Sequence, residues 1–275
     1  MRDYRTMKKY RIDVSRNIGK VIFVVEGGRP EGGTELRLLK AIFTDILGYE
    51  THELRRGADE EFVLHGSNPN SVVYGLNLAK NQLTQLTEQS IDFLFHRLRT
   101  ELGLKPENCP VFFLYDRDVK SYGRNELRGR YVKRYTDPYG TEAGDQGQLL
   151  LSYPSVESYT LSCFGTALGQ KRYELGADLK KYLAQLNATA KTKIKETDIQ
   201  TENHLICAAE KMDTALSELG CAQYDLDDLA PTLLAAYDGE QKLYDMEGGF
   251  SLLSLISLAL MELNVIVEDE GDKSL

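Results

Sequence analysis

Cysteine and histidine are scarce in this sequence, four of each in 275 residues. Cys109, Cys163, Cys207 and Cys221 stand far apart with no CxxC spacing, and His52, His65, His96 and His204 form no HExxH or HxH pattern. Zinc sites of the Cys and His type are thereby excluded, and the cysteines read as reduced, mostly buried thiols. Any metal would have to be held by carboxylates, whose hard oxygens favour Mg²⁺, Mn²⁺ or Ca²⁺. Long apolar runs are missing too: nothing approaches the roughly 18 residues that a membrane-spanning helix needs. The opening MRDYRTMKKYRIDV is too polar for a secretory signal. The expectation is a cytoplasmic protein with no membrane contact. A GxxxxGK(S/T) loop is also lacking, since EGGRPEGGTE is glycine-rich but has no lysine to meet a nucleotide phosphate.

What is present is an ordinary globular composition, 42% apolar and 27% charged, in a chain long enough to bury a core without disulfides or structural metal. The net charge of −9 argues against non-specific coating of nucleic acid, which needs clustered Lys and Arg. Base is nevertheless concentrated in two places. Arg117, Lys120, Arg124, Arg128, Arg130, Lys133 and Arg134 follow one another closely, and Arg2, Arg5, Lys8, Lys9, Arg11, Arg16 and Lys20 mark the start. Each patch is either a local polyanion site or a solvated face.

The first half alternates strand and helix signals. KVIFVVEGG (20–28) is a β-branched and aromatic run stopped by glycines, the pattern of a strand buried on both faces. TELRLLKAIFTDIL follows with apolar residues at helical spacing and Thr34 as the expected N-cap. EFVLHG predicts a second strand, SNPNSVV a turn leading into helix, and 77–102 a helix interrupted at most once. CPVFFLYDRD predicts a further buried strand, and LLLSY another before a helix over SVESYTLSCF. Such alternation implies an α/β fold with a mainly parallel sheet flanked by helices. From about Gly169 the pattern is helical, ending in GFSLLSLISLALMELNVIV, which reads as a central or interface helix. The expected division is a basic arm over 1–19, an α/β domain over 20–168, and a helical region over 169–275 that packs on it or serves an interface such as a homodimer.

Ligands of open parallel sheets bind beyond the carboxyl ends of the strands. Three predicted strand ends carry acid: Glu26, the pair Asp116 and Asp118, and Glu157. Taken alone, Asp116 and Asp118 are either a metal site at the tip of a buried strand or a charged loop. Several carboxylates in one crevice repel one another, and a divalent ion relieves that repulsion while activating water and stabilising charge on a phosphodiester leaving oxygen. The basic run after Asp118 would supply phosphate contacts.

VIFVVEGG before a helix and VFFLYDRD after a later strand resemble the TOPRIM domain, marked by a glutamate and glycine after its first strand and a DxD after its third. DRD together with LLLSYPSVESYTLSCF is similar to the stand-alone TOPRIM proteins of bacterial mobile elements and anti-phage systems. These include the RloB-like proteins, the effector of PARIS systems and the TOPRIM half of OLD-family nucleases. The resemblance covers roughly residues 20–165. It implies that Glu26 is a metal ligand or general base, that Asp116 and Asp118 bind Mg²⁺ or Mn²⁺, and that Glu157 is a further downstream acid. Either Glu31 or Glu35 would fill the second acid of the first motif, with Glu35 favoured because TEL opens the helix. Lys120, Arg124 and Arg117 are placed for substrate phosphate, Arg117 alternatively as a structural counter-ion. The implied function is a metal-dependent endonuclease on DNA or RNA, including tRNA, working as an anti-phage effector with an ABC- or AAA-type ATPase. The competing expectation is a non-catalytic TOPRIM-fold subunit of such a complex. A haloacid-dehalogenase phosphatase would place its DxD after the first strand, where this sequence has Glu26.

Overall fold

The computed structural model describes residues 9–26, 33–52, 61–78, 87–117, 123–140, 146–165, 171–189 and 193–269. Its strands are β1 (Tyr10–Ile12), β2 (Lys20–Val25), β3 (Glu50–His52), β4 (Phe62–His65), β5 (Val72–Asn77), β6 (Val111–Asp116), β7 (Thr136–Asp137), β8 (Gly147–Tyr153), β9 (Leu253–Ser254) and β10 (Ile266–Glu268). β2, β5, β6 and β8 are runs with both faces buried, as strands covered by helices on each side must be. They form the centre of an eight-stranded sheet in the order β3-β4-β5-β2-β6-β8-β7, with β9 also paired to β8. The four central strands are mutually parallel, and antiparallel pairs close both margins. The sheet is therefore mixed, and its parallel centre sends Glu26, Arg117 and Pro154 out along one edge.

The helices are α1 (Thr34–Ala41), α2 (Glu88–Leu102), α3 (Arg124–Glu126), α4 (Glu157–Cys163), α5 (Gly176–Thr189), α6 (Glu202–Glu218), α7 (Ala230–Glu247) and α8 (Ile256–Glu262). α1 and α3 each run on into a π-helical turn, over Ile42–Ile46 and Leu127–Val132. None is long and apolar enough to cross a membrane among the described residues. α6, α7 and α8 share one apolar core with the sheet, while Leu161, Tyr173 and Leu179 form a small second cluster beneath α5. The helical region thus packs on the sheet.

Four local expectations are corrected. Residues 72–77, expected to lead into a helix, form β5, and α2 begins only at Glu88. The β-branched and aromatic Val72, Val73 and Tyr74 suit a strand buried on both faces, and Gly75 lets the Phe62 ring lie against the backbone. A Cβ at Gly75 would stand 2.4 Å from Phe62 Cζ. Gly75→Ala should therefore destabilise the fold by about 1–2 kcal/mol through overpacking, read as a lower urea midpoint at unchanged slope. Second, the segment 250–267 is not one helix but β9, α8 and β10. Ser254 pairs with Ser152 of β8, and Asn264 at φ 55° ends α8 so that the following β-branched residues can pair with β1. Third, the basic arm is tied down in part, because Tyr10–Ile12 is that partner strand; residues 1–8 lie outside the described residues. Fourth, α1 is capped by Gly33, with Thr34 its first helical residue.

Candidate functional site

Asp116 is the last residue of β6, where the strand's apolar run stops at the sheet edge. Its Oδ1 accepts a hydrogen bond from the Val156 N–H at 2.7 Å. Val156 belongs to the turn after β8, which lies beside β6 in register, Asp116 opposite Ser152. The same turn starts α4 with Glu157, a 5% exposed carboxylate that accepts from the Ser155 hydroxyl at 2.7 Å. Glu35 arrives from the other side of the sheet centre, in the first turn of α1. Its Oε2 lies where a side chain on Gly33 would begin, 2.6 Å from an ideal Cβ, so the missing side chain at Gly33 gives the carboxylate room.

These three acids act on one another. Burial pushes Asp116 well above the usual carboxylate range, Glu35 and Glu157 add to the rise, and Lys180 with the Val156 N–H opposes it. Glu35 is likewise raised, first by burial and then by Glu157, against its own backbone N–H and Lys180. Lys180, on α5, has its Nζ 3.6 Å from Glu157 Oε1. Burial would lower the Lys180 pKa, but Glu157, Asp116 and Glu35 together outweigh it and hold the ammonium charged. The site is thus three carboxylates around one cation, built from α1, β6, α4 and α5.

Of the residues picked from sequence, Asp116, Glu157 and Glu35 are brought together. Glu26 is the first residue after β2, whose register with β6 aligns Val25 with Leu114, so Glu26 stands at the same sheet edge beside the end of β6. Asp118, Glu31 and Lys120 lie outside the described residues. Arg117 is corrected as a phosphate contact. It is 2% exposed, its Nη2 donates to Gln241 at 3.1 Å, and its guanidinium lies over the rings of Tyr237 and Phe250 at 5.5 and 5.6 Å. It is a structural cation anchoring the end of β6 to α7, the other role open to it. Arg124 points to α7 as well, pairing with Asp245 at 2.8 Å.

Lys180 was not among the sequence candidates. It follows Asp116 by 64 positions, in a helix with no motif of its own, and no local pattern marks it. The donor set is carboxylate oxygen alone, the chemistry that suits Mg²⁺ or Mn²⁺. No group of three His, Cys, Asp or Glu side chains is arranged to hold an ion among the described residues. The three acids sense one another's charge, and of the three Glu157 meets the ammonium of Lys180 at 3.6 Å. Mg²⁺ commonly takes only one or two protein carboxylates and keeps its waters, so the residues fit such an ion by type and number. No known family, curated protein or solved structure matches the chain.

Proposed function

We propose that the protein is a divalent-metal-dependent nuclease that hydrolyses nucleic-acid phosphodiesters at the carboxylate edge of its sheet. The observation that supports this reading is the crowding of Asp116, Glu35 and Glu157, from three separate elements, beyond the carboxyl ends of parallel strands. Like charges gathered in a poorly solvated place cost stability, and such arrangements concentrate at functional sites. Asp116 and Glu157 would hold the Mg²⁺ or Mn²⁺, with Glu35, Glu26 and Asp118 as further ligands. Such an ion supplies an activated water and stabilises charge on the leaving oxygen.

The chain's own residues prepare that chemistry. Val156 N–H fixes one oxygen of Asp116, while the two oxygens of Glu157 are held by the Ser155 hydroxyl and by Lys180, which an ion would have to displace. Glu35, its proton affinity raised by burial, is suited to take a proton from an attacking water. Lys180 offsets part of the negative charge, so that an anionic phosphate can approach. Anti-phage defence and an ABC- or AAA-type ATPase partner follow from the resemblance alone, and such a partner would bring the nucleotide-binding loop that this sequence lacks. A second reading, a non-catalytic subunit of such a complex, is favoured by one observation: the carboxylates already have a cation in Lys180.

The deciding experiment incubates the protein with DNA, RNA and tRNA, with Mg²⁺, Mn²⁺ or EDTA. Cleavage that needs the metal and disappears in Glu26→Gln is the expected result. Silence on every substrate, in the presence of the ATPase as well, would favour the non-catalytic subunit.

A further inference from the structure

We propose that a cavity lined by Asp137, Asp227, Asp228 and Glu262, at the opposite end of β6 from Asp116, binds a small aliphatic polyamine. Its volume is about 370 Å³, within the range of small-molecule sites, and it shares no residue with the carboxylate cluster. Phe112, the second residue of β6, forms one wall, and Leu229 and Leu263 form others. All three are buried. Tyr139 and Leu226 line the same cavity with 57% and 39% of their surface exposed. They are two of the five large apolar side chains that stand in solvent among the described residues.

Charge selects the ligand. Four carboxylates line the cavity, and among the described residues no Lys or Arg lines it and none of the four acids has an ion pair. Asp238, Asp245 and Glu247 of α7, by contrast, are each taken by an arginine. Acids alone do not make a site, and the second observation lies at the inner wall. Glu262, the last residue of α8, accepts through Oε1 from Gln148 Nε2 at 2.7 Å, and Gln148 is fully buried. Glu262 Oε2 and Gln148 Oε1 are shielded from solvent and have no hydrogen-bond partner among the described residues. Two acceptors on one hydrogen-bonded pair thus lack a donor, a costly arrangement that an ammonium group relieves. Burial also pushes the Glu262 carboxyl up to about 7, with Asp137 adding to the rise against the Gln148 hydrogen bond. Asp137 is held in place by the Tyr139 N–H, which donates to its Oδ1 at 2.8 Å. A single metal ion does not suit the cavity, because no three acids are set around one position among the described residues. Carboxylates from β7, from the turn before α7 and from α8 instead match separate ammonium groups on one methylene chain. The methylenes gain by lying against Phe112, Leu229 and Leu263, and an ammonium beside Tyr139 gains from its ring.

The test is isothermal titration calorimetry of the full chain with spermidine at about 0.15 M salt, where general attraction between exposed charges is screened. n-Butylamine, with one ammonium, and a lysine-rich peptide are titrated beside it. Spermidine should bind saturably, one to one, and more tightly than n-butylamine. Glu262→Gln should weaken it roughly 10- to 100-fold, the range of a hydrogen bond to a buried charged group, without lowering the thermal midpoint, since the amide oxygen can still accept from Gln148. Asp227→Asn with Asp228→Asn, on an exposed turn, should weaken it about 3- to 10-fold, as two exposed charges do. Asp92→Asn on α2 and Asp116→Asn, both outside the cavity, should leave it unchanged. Absence of saturable spermidine binding overturns the proposal, as does n-butylamine binding as tightly as spermidine. Binding of the peptide without binding of spermidine overturns it by assigning the cavity to a protein partner. An equal loss in Glu262→Gln and Asp92→Asn overturns it by showing general charge attraction, and an equal loss in Asp116→Asn by placing the amine in the carboxylate cluster.

Discussion

Asp116→Asn should cut cleavage by on the order of 10²–10⁴-fold, the range that a positioned acid–base or charge-stabilising group contributes, and should at the same time make the protein more stable at neutral pH. Both effects have one cause. Asp116 is partly buried at the end of β6 and lies near Glu35 and Glu157, so ionising it is costly. Asparagine keeps an oxygen that can accept from the Val156 N–H, the contact that fixes the side chain, and removes the charge. The expected gain is about 1–3 kcal/mol at pH 8. Its pH dependence has a definite sign. The folded-state pKa of Asp116 is raised, so its contribution to stability is fully present below the unfolded value, about 3.9, and is lost as pH rises toward the folded one. Wild type and variant should therefore unfold alike near pH 4 and diverge as pH increases. Urea titrations at pH 4, 6 and 8 beside cleavage assays measure both. A variant that is inactive and also destabilised at every pH would show that Asp116 serves the fold and not a reaction.

That trade between stability and chemistry also explains which parts of the protein were legible in its sequence. β2, β6 and β8 announce themselves because strands buried on both faces must be continuous apolar runs, and KVIFVV, VFFLYD and QLLLSY are such runs. The acids just past them stand out for the same reason: a charge ending an apolar run sits at the sheet edge. β5 was hidden because SVVYGLN contains a glycine and leads into polar residues, and what makes it a strand is the Phe62 ring that lies over Gly75 from a neighbouring strand. The three-part ending was hidden because SLLSLISLALMEL has helical periodicity throughout, while the pairing of Leu253 and Ser254 with β8 is a tertiary contact. Glu35 could be favoured from its place at a helix start. Arg117 could not be assigned, since an arginine between two aspartates has the same local pattern whether it faces solvent or, as here, two aromatic rings. Lys180 is the clearest case: its role is fixed wholly by where α5 packs, which no neighbouring residue encodes.

Lys180→Met should therefore be the most informative substitution outside the strand ends. Without the ammonium the three carboxylates lose the cation that offsets them, and the metal-free protein should be less stable at pH 8 by about 0.5–1 kcal/mol, a modest figure because the lysine side chain is 53% exposed and solvent screens it. Lys180 itself has a raised pKa. Its contribution is complete below about 10.4, its unfolded value, and fades only as pH rises through the folded one, so it stays constant across pH 5–8. The variant's deficit should nonetheless shrink toward pH 5, because there Asp116 and Glu35, whose affinity for protons is raised, take them up and no longer need the cation. Lys180→Arg should keep most of the stability by keeping the charge. An added divalent ion should replace the missing ammonium, so Mn²⁺ should raise the melting temperature of Lys180→Met by more than it raises that of the wild type. Cleavage by Lys180→Met should fall by on the order of 10²-fold, since an anionic phosphate would then meet an uncompensated cluster of acids. Equal responses of the two proteins to Mn²⁺ would mean that the lysine and the ion do not compete for the same carboxylates, and the site would then be an ion-paired strut between α4 and α5, not a place where metal acts.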